Sequence, residues 1–115
     1  ILSQYYPITN ECKLFEIWKY KLDNTKLAVR TPLTIHTDND NGDDIHTFIL
    51  YTRKDPEIKG GNLNFYKSMD GEIYSTVNTE TGMMVCIDGS VYHCPEVMSG
   101  SGIRNCIVIQ FNRKT

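Results

Sequence analysis

The sequence predicts a mainly β protein, a sandwich or barrel rather than alternating α/β units. Three observations predict it. Roughly seven or eight short runs rich in β-branched and aromatic residues recur along the chain. Clusters of Asp, Asn, Gly and Pro separate them. Alternation within the runs sorts side chains onto two faces, as in strands. No internal repeat or low-complexity tract interrupts this pattern.

The elements follow in order. "KLFEIWKYKL" (Lys13–Leu22) suits a strand or a short helix, and Asp23-Asn24-Thr25 turns the chain. "KLAVRTPLTIHTD" comes next, then "HTFILYT", "GNLNFYK", "EIYSTV", "GMMVCID" and "IRNCIVIQF". Met69-Asp70-Gly71-Glu72 carries the Asp-Gly signal of a hairpin. Thr47, Ile49 and Tyr51 share one face of their run, with His46 on the other. In the last run Arg104, Cys106, Val108 and Gln110 share a face, and Ile107, Ile109 and Phe111 make the opposite, more apolar one. Both faces of such a strand want cover. A buried guanidinium also wants a polar partner, because an uncompensated buried charge is costly.

The 115 residues predict one domain, 1–115, with a modest core. A net charge of −2 gives no basic footprint for nucleic acid. No apolar run approaches the roughly 20 residues of a membrane span, and none reads as a signal peptide. The chain opens on Ile1, which predicts a piece trimmed from something longer. Cys12, Cys86, Cys94 and Cys106 contain no Cys-x-x-Cys pair, which speaks against a zinc knuckle or a thioredoxin-like site. They predict reduced, mostly buried thiols in an intracellular compartment.

"TIHTDNDNGDD" (Thr34–Asp44) is the stretch richest in possible metal ligands. A calcium loop of the EF-hand type needs a glycine and a terminal glutamate in fixed register, and no register of this stretch supplies both. On a strand, His36 and Asp38 point the same way. A second histidine, His46 or His93, would complete a two-histidine, one-carboxylate triad, which suits non-haem Fe(II). Arg104, at the start of the last run, could grip a carboxylate held near such a metal. Each element alone is weak: H-x-D is common, and a lone arginine is more often half of a salt bridge. Their order on a β-rich chain is what points to a metal centre.

The ordered blocks resemble the Fe(II)/2-oxoglutarate-dependent dioxygenases, nearest the prolyl 4-hydroxylase branch. "HTDNDNGDDIHTFILYTRKD" resembles the first metal strand, its acidic loop and the strand that follows. "GGNLNFY" resembles the glycine pair and next strand, and "TGMMVCIDGSVYHCPEVMSGSGIRNCIVIQF" the closing block. The resemblance spans roughly Leu33 to Phe111. It implies a double-stranded β-helix, a jelly-roll or cupin-like barrel with little helix. It implies Fe(II) on His36, Asp38 and His93, 2-oxoglutarate held by Arg104 and Tyr51, O2 as co-substrate and ascorbate as reductant. It further implies a protein or peptide substrate, hydroxylated at proline. Asp40, Asp43 and Asp44 would then form a solvated loop. The chain also departs from that branch. "LAVRTP", with Arg30, lacks the branch's upstream tyrosine, and the stretch before His36 is short for buttressing helices. Gln110 stands where nucleic-acid demethylases carry a second arginine. A barrel that binds a ligand or partner without turnover, and a calcium-stabilised β domain, are the competing expectations.

Overall fold

The computed structural model describes residues 12–23, 34–39 and 42–112. Most of "KLAVRTPLTIHTD", including Arg30, lies outside them, as does Asp40. The described chain is mainly β and contains no helix. Its strands are β1 (Cys12–Leu22), β2 (Ile45–Lys54), β3 (Lys59–Gly60), β4 (Leu63–Tyr66), β5 (Ile73–Val77), β6 (Met84–Asp88), β7 (Tyr92–Pro95), β8 (Met98–Ser99) and β9 (Gly102–Asn112). The run at 13–22, compatible with strand or helix from composition, is a strand.

β1, β9, β2 and β6 form a four-stranded sheet in that order, and β5, β4 and β7 a three-stranded one. All pairings are antiparallel. β3 and β8 make a separate two-residue pair. The hairpin predicted at Met69–Glu72 joins β4 to β5, with the Gly71 amide donating to the Ser68 carbonyl at 3.1 Å. His36 adds one bridge to His93 at the β7 edge of the smaller sheet.

The sequence misplaced two segments. His36-Thr37-Asp38 is not a full strand: only His36 pairs, and the chain bends at Asp38. There the Asp38 and Asn39 amides both donate to the Gly89 carbonyl, at 3.1 and 3.0 Å. The Asn/Asp-rich composition favours such a bend over continued pairing. His93 falls in none of the runs read as strands from the sequence and instead lies within β7. That strand is only 4 residues long and ends at Pro95, too short for alternation to show.

The inward face of the large sheet carries the core. Tyr51, Cys106 and Val108 are buried together, packed by Leu14, Trp18, Ile49, Met83 and Val85. Burying such side chains contributes about 1.5–3 kcal/mol each. The outward face is only partly covered among the described residues. Phe48 and Phe111 are buried and meet edge to face at 5.9 Å. Phe15 and Ile17, on the edge strand, are 62% and 70% exposed. The expectation of cover on both faces therefore holds for the inner face and only in part for the outer one. None of Cys86, Cys94 and Cys106 forms a disulfide. Cys94 and Cys106 are buried as expected, and Cys86 is exposed.

Candidate metal centre

His36, Asp38 and His93 come together, with their ligand atoms all within 4.8 Å of one another. Asp38 Oδ1 lies 3.4 Å from Nε2 of each histidine. The two rings sit with centroids 4.4 Å apart. His46, the other histidine that could have completed a triad, instead lies 3.5 Å from Asp44. Of the acidic residues after Asp38, the described Asp43 and Asp44 both bond to Asn112, and the Asp44 side chain is 48% exposed. Asp43 accepts from Asn112 Nδ2 at 3.0 Å, and the Asp44 amide donates to Asn112 Oδ1 at 3.2 Å.

Backbone carbonyls fix both imidazoles. His36 Nδ1 is 2.8 Å from the Thr34 carbonyl and His93 Nδ1 is 2.9 Å from that of Val91. A carbonyl can only accept, so each Nδ1 carries the proton and each Nε2 can present a lone pair to a metal. This is the usual outer support of a metal-binding histidine. Asp38 is held by its other oxygen: Thr47 Oγ1 donates to Oδ2 at 2.5 Å. Burial opposes the Asp38 charge, yet in the metal-free protein the adjoining His36 and His93 rings, when protonated at Nε2, and the Thr47 hydroxyl hold the carboxyl well below its ordinary value. The hydrogen bond to Asp38, opposed by partial burial, raises His36. The Asp38 and His93 side chains are 8% and 6% exposed, whereas the His36 side chain is 48% exposed, so the cluster is open on that side.

All three residues line one cavity of about 400 Å³, and Arg104 and Tyr51 line the same cavity. Arg104 is 5% exposed. Nη1 donates to the Gly61 carbonyl at 2.8 Å and to Met98 Sδ at 3.3 Å, and Nη2 to Thr79 Oγ1 at 2.8 Å. None of these partners is charged. The guanidinium carbon also lies 4.7 Å from the Tyr51 ring centroid, a cation–π contact. Burial pushes the Tyr51 phenol up to about 12, against the pull of the Arg104 charge, so it stays neutral. The start of β9 is clamped to the end of β2 by Asp55: the Ile103 amide donates to Oδ2 at 2.8 Å, and the Asp55 amide donates back to the Ile103 carbonyl at 3.1 Å.

Sequence inspection missed the part played by four residues. Thr79, 1% exposed in the loop after β5, holds both Arg104 and the Gly61 carbonyl, and no local signal marks it. Trp18 and Tyr20 of β1 line the cavity, so aromatic residues reach it from the first strand. Their alternation was visible, but which sheet β1 joins was not. Gln110 donates to Thr47 at 3.2 Å and so reaches the metal cluster indirectly.

Fold and site together define an antiparallel β protein with a two-histidine, one-carboxylate cluster beside a buried arginine. No family model and no curated protein sequence matches the chain. Among solved structures it is similar to the crystal structure of IDO from Bacillus thuringiensis, with a TM-score of 0.71 and 15% identity. The match covers 87% of this chain and 48% of that one, so the chain spans about half the length of the structure it matches. At that identity the likeness is one of fold. It corrects the family assignment suggested by the sequence blocks. The neighbour is IDO and not a prolyl 4-hydroxylase, and no family model supports that branch. Short blocks around histidine, aspartate and arginine record the geometry of a metal site, and geometry of this kind does not by itself carry kinship.

Proposed function

We propose that the chain is the core of a non-haem iron oxygenase that uses a 2-oxo acid, 2-oxoglutarate, as co-substrate. One observation carries this. The cluster of His36, Asp38 and His93 shares its cavity with a buried guanidinium whose three hydrogen-bond partners are uncharged. Such a charge calls for an anion, and Arg104 has two of its five N–H groups left to bind one. Three converging protein ligands suit non-haem iron better than the single axial position of a haem. The proposal rests on this geometry and not on kinship with the prolyl hydroxylases. We also infer a double-stranded β-helix, because the chain crosses between the two sheets from β2 to β4, from β5 to β6, from β6 to β7 and from β7 to β9, and the cavity is lined by both.

When bound, iron and 2-oxoglutarate supply the activation of O2 that hydroxylates a substrate and releases succinate and CO2, with ascorbate keeping the iron ferrous. The protein's share is to bind and orient. His36 and His93 offer Nε2, with their tautomers set by Thr34 and Val91. Asp38 offers Oδ1. Arg104, steadied by Gly61 and Thr79, takes the far carboxylate, and Tyr51 walls that end of the cavity. The substrate is a protein or peptide segment entering by the exposed His36 side, and proline is the first residue to offer.

The test is anaerobic loading with Fe(II), 2-oxoglutarate and ascorbate, then admission of O2, with succinate measured and a proline-containing peptide panel read for a gain of one oxygen. Succinate release that disappears in His36→Ala is expected. Turnover that survives His36→Ala, or a wild-type protein that binds Fe(II) and 2-oxoglutarate yet never forms succinate, sinks the proposal. The latter result would establish a binding barrel without turnover.

A further inference from the structure

The carboxylate of Asp38 has two oxygens, and the protein treats them differently. Oδ1 lies 3.4 Å from Nε2 of both histidines, while Oδ2 accepts from Thr47 Oγ1 at 2.5 Å. Thr47 is 3% exposed on β2. A carboxylate only accepts, so the single hydroxyl proton of Thr47 is committed to Asp38. The hydroxyl lone pair is in turn taken by Gln110 Nε2, which can only donate, at 3.2 Å. The chain Gln110 to Thr47 to Asp38 therefore has one direction, and it ends on the oxygen turned away from the histidines.

We propose that Thr47, oriented by Gln110, is a positioning residue that makes Asp38 a one-oxygen ligand and so keeps an additional coordination position open. This rests on the proposal that His36, Asp38 and His93 hold a metal. A carboxylate freed from Thr47 can turn and grip a metal through both oxygens, closing that position. Asp38, Thr47 and Gln110 come from separate segments, so nothing in the local spacing of His36 and Asp38 sets this choice. Thr47 and Gln110 face each other because Thr47 pairs with Gln110 in the register of β2 and β9.

The experiment uses Co(II) alone, with no co-substrate or substrate, titrated into the metal-free protein and followed by visible absorption. Wild type binds. Thr47→Val is expected to lose affinity roughly 10- to 100-fold, the usual cost of removing an outer support. Its absorption bands should also weaken as coordination rises. Thr47→Ser, which keeps the hydroxyl, restores affinity and spectrum. Gln110→Leu gives a smaller loss, and adds nothing further in the Thr47→Val background because the two act through one bond. A Thr47→Val protein with wild-type affinity and spectrum overturns the proposal. So does a Thr47→Ser protein as impaired as Thr47→Val. Should Thr47→Val fail to fold, Gln110→Leu decides, and unchanged Co(II) binding there overturns the relay. A wild-type protein that does not bind Co(II) overturns the metal centre itself, which separates the two failures.

Discussion

Arg104 is 5% exposed and carries a full charge, and its hydrogen-bond partners are a carbonyl, a hydroxyl and a thioether. Its planar fork matches a carboxylate in a way that a lysine ammonium does not. Arg104→Lys is therefore expected to weaken 2-oxoglutarate binding to the metal-loaded protein by about 1.5–3 kcal/mol, roughly 10- to 100-fold, by titration calorimetry. Metal affinity should be nearly unchanged, since Arg104 is not a ligand. Gly61 is bound into the same arrangement. It sits at φ 78°, and a Cβ there would collide with the Arg104 guanidinium and with Met98. Gly61→Ala should cost about 1–3 kcal/mol in urea unfolding, from the left-handed backbone and the displaced arginine together. A Gly61→Ala protein of wild-type stability and co-substrate affinity would remove Gly61 from the site.

At the scale of elements, the loop between β6 and β7 seats the metal cluster. The Gly89 carbonyl accepts from the Asp38 and Asn39 amides, and its own amide donates to the Ile45 carbonyl at 2.7 Å. A side chain at 89 has no room, because its Cβ would strike Asn39 and lie 2.5 Å from the Ile45 carbonyl oxygen. Gly89→Ala should therefore shift Asp38 and reduce Co(II) affinity by roughly 10-fold or more, while near-native circular dichroism persists. The end of β2 is shaped in a second way. The β2–β9 register slips between Tyr51 and Arg53, and the extra residue, Thr52, donates to the Asn105 carbonyl at 3.2 Å. A bulge of this kind re-aims neighbouring side chains, and here it lies beside the Tyr51 ring that packs on Arg104. The inward alternation of Thr47, Ile49 and Tyr51 was legible from sequence. The slip that follows was not, because a bulge depends on the partner strand.

Over the whole molecule, the cluster links stability to pH and to metal. The folded state raises His36 above its ordinary 6.5, so the stability it contributes is present below pH about 6.5 and is lost as pH rises through the folded value. Asp38 is lowered from 3.8, so its contribution is present above that value and is lost in acid. The metal-free protein is therefore expected to lose thermal stability as the pH rises above about 6.5. Bound metal needs the unprotonated His36 Nε2, so the gain in melting temperature on adding Co(II) should grow over the same window. A metal-induced gain that shrinks with rising pH would contradict the ligand assignment. The sequence by itself determined the mainly β class, most strands and the candidate ligands His36 and Asp38 with His46 or His93, because alternation and ligand chemistry are written residue by residue. It also suggested a kinship that the structural comparison corrected, since similar short blocks arise wherever the same ligands are needed. Only the tertiary structure decided that His93 rather than His46 joins His36 and Asp38. It alone showed that Thr79 and Gly61 support Arg104 and that Gln110 reaches Asp38 through Thr47. Those choices depend on which strands pair and in what register, and pairing is settled between segments far apart in the chain.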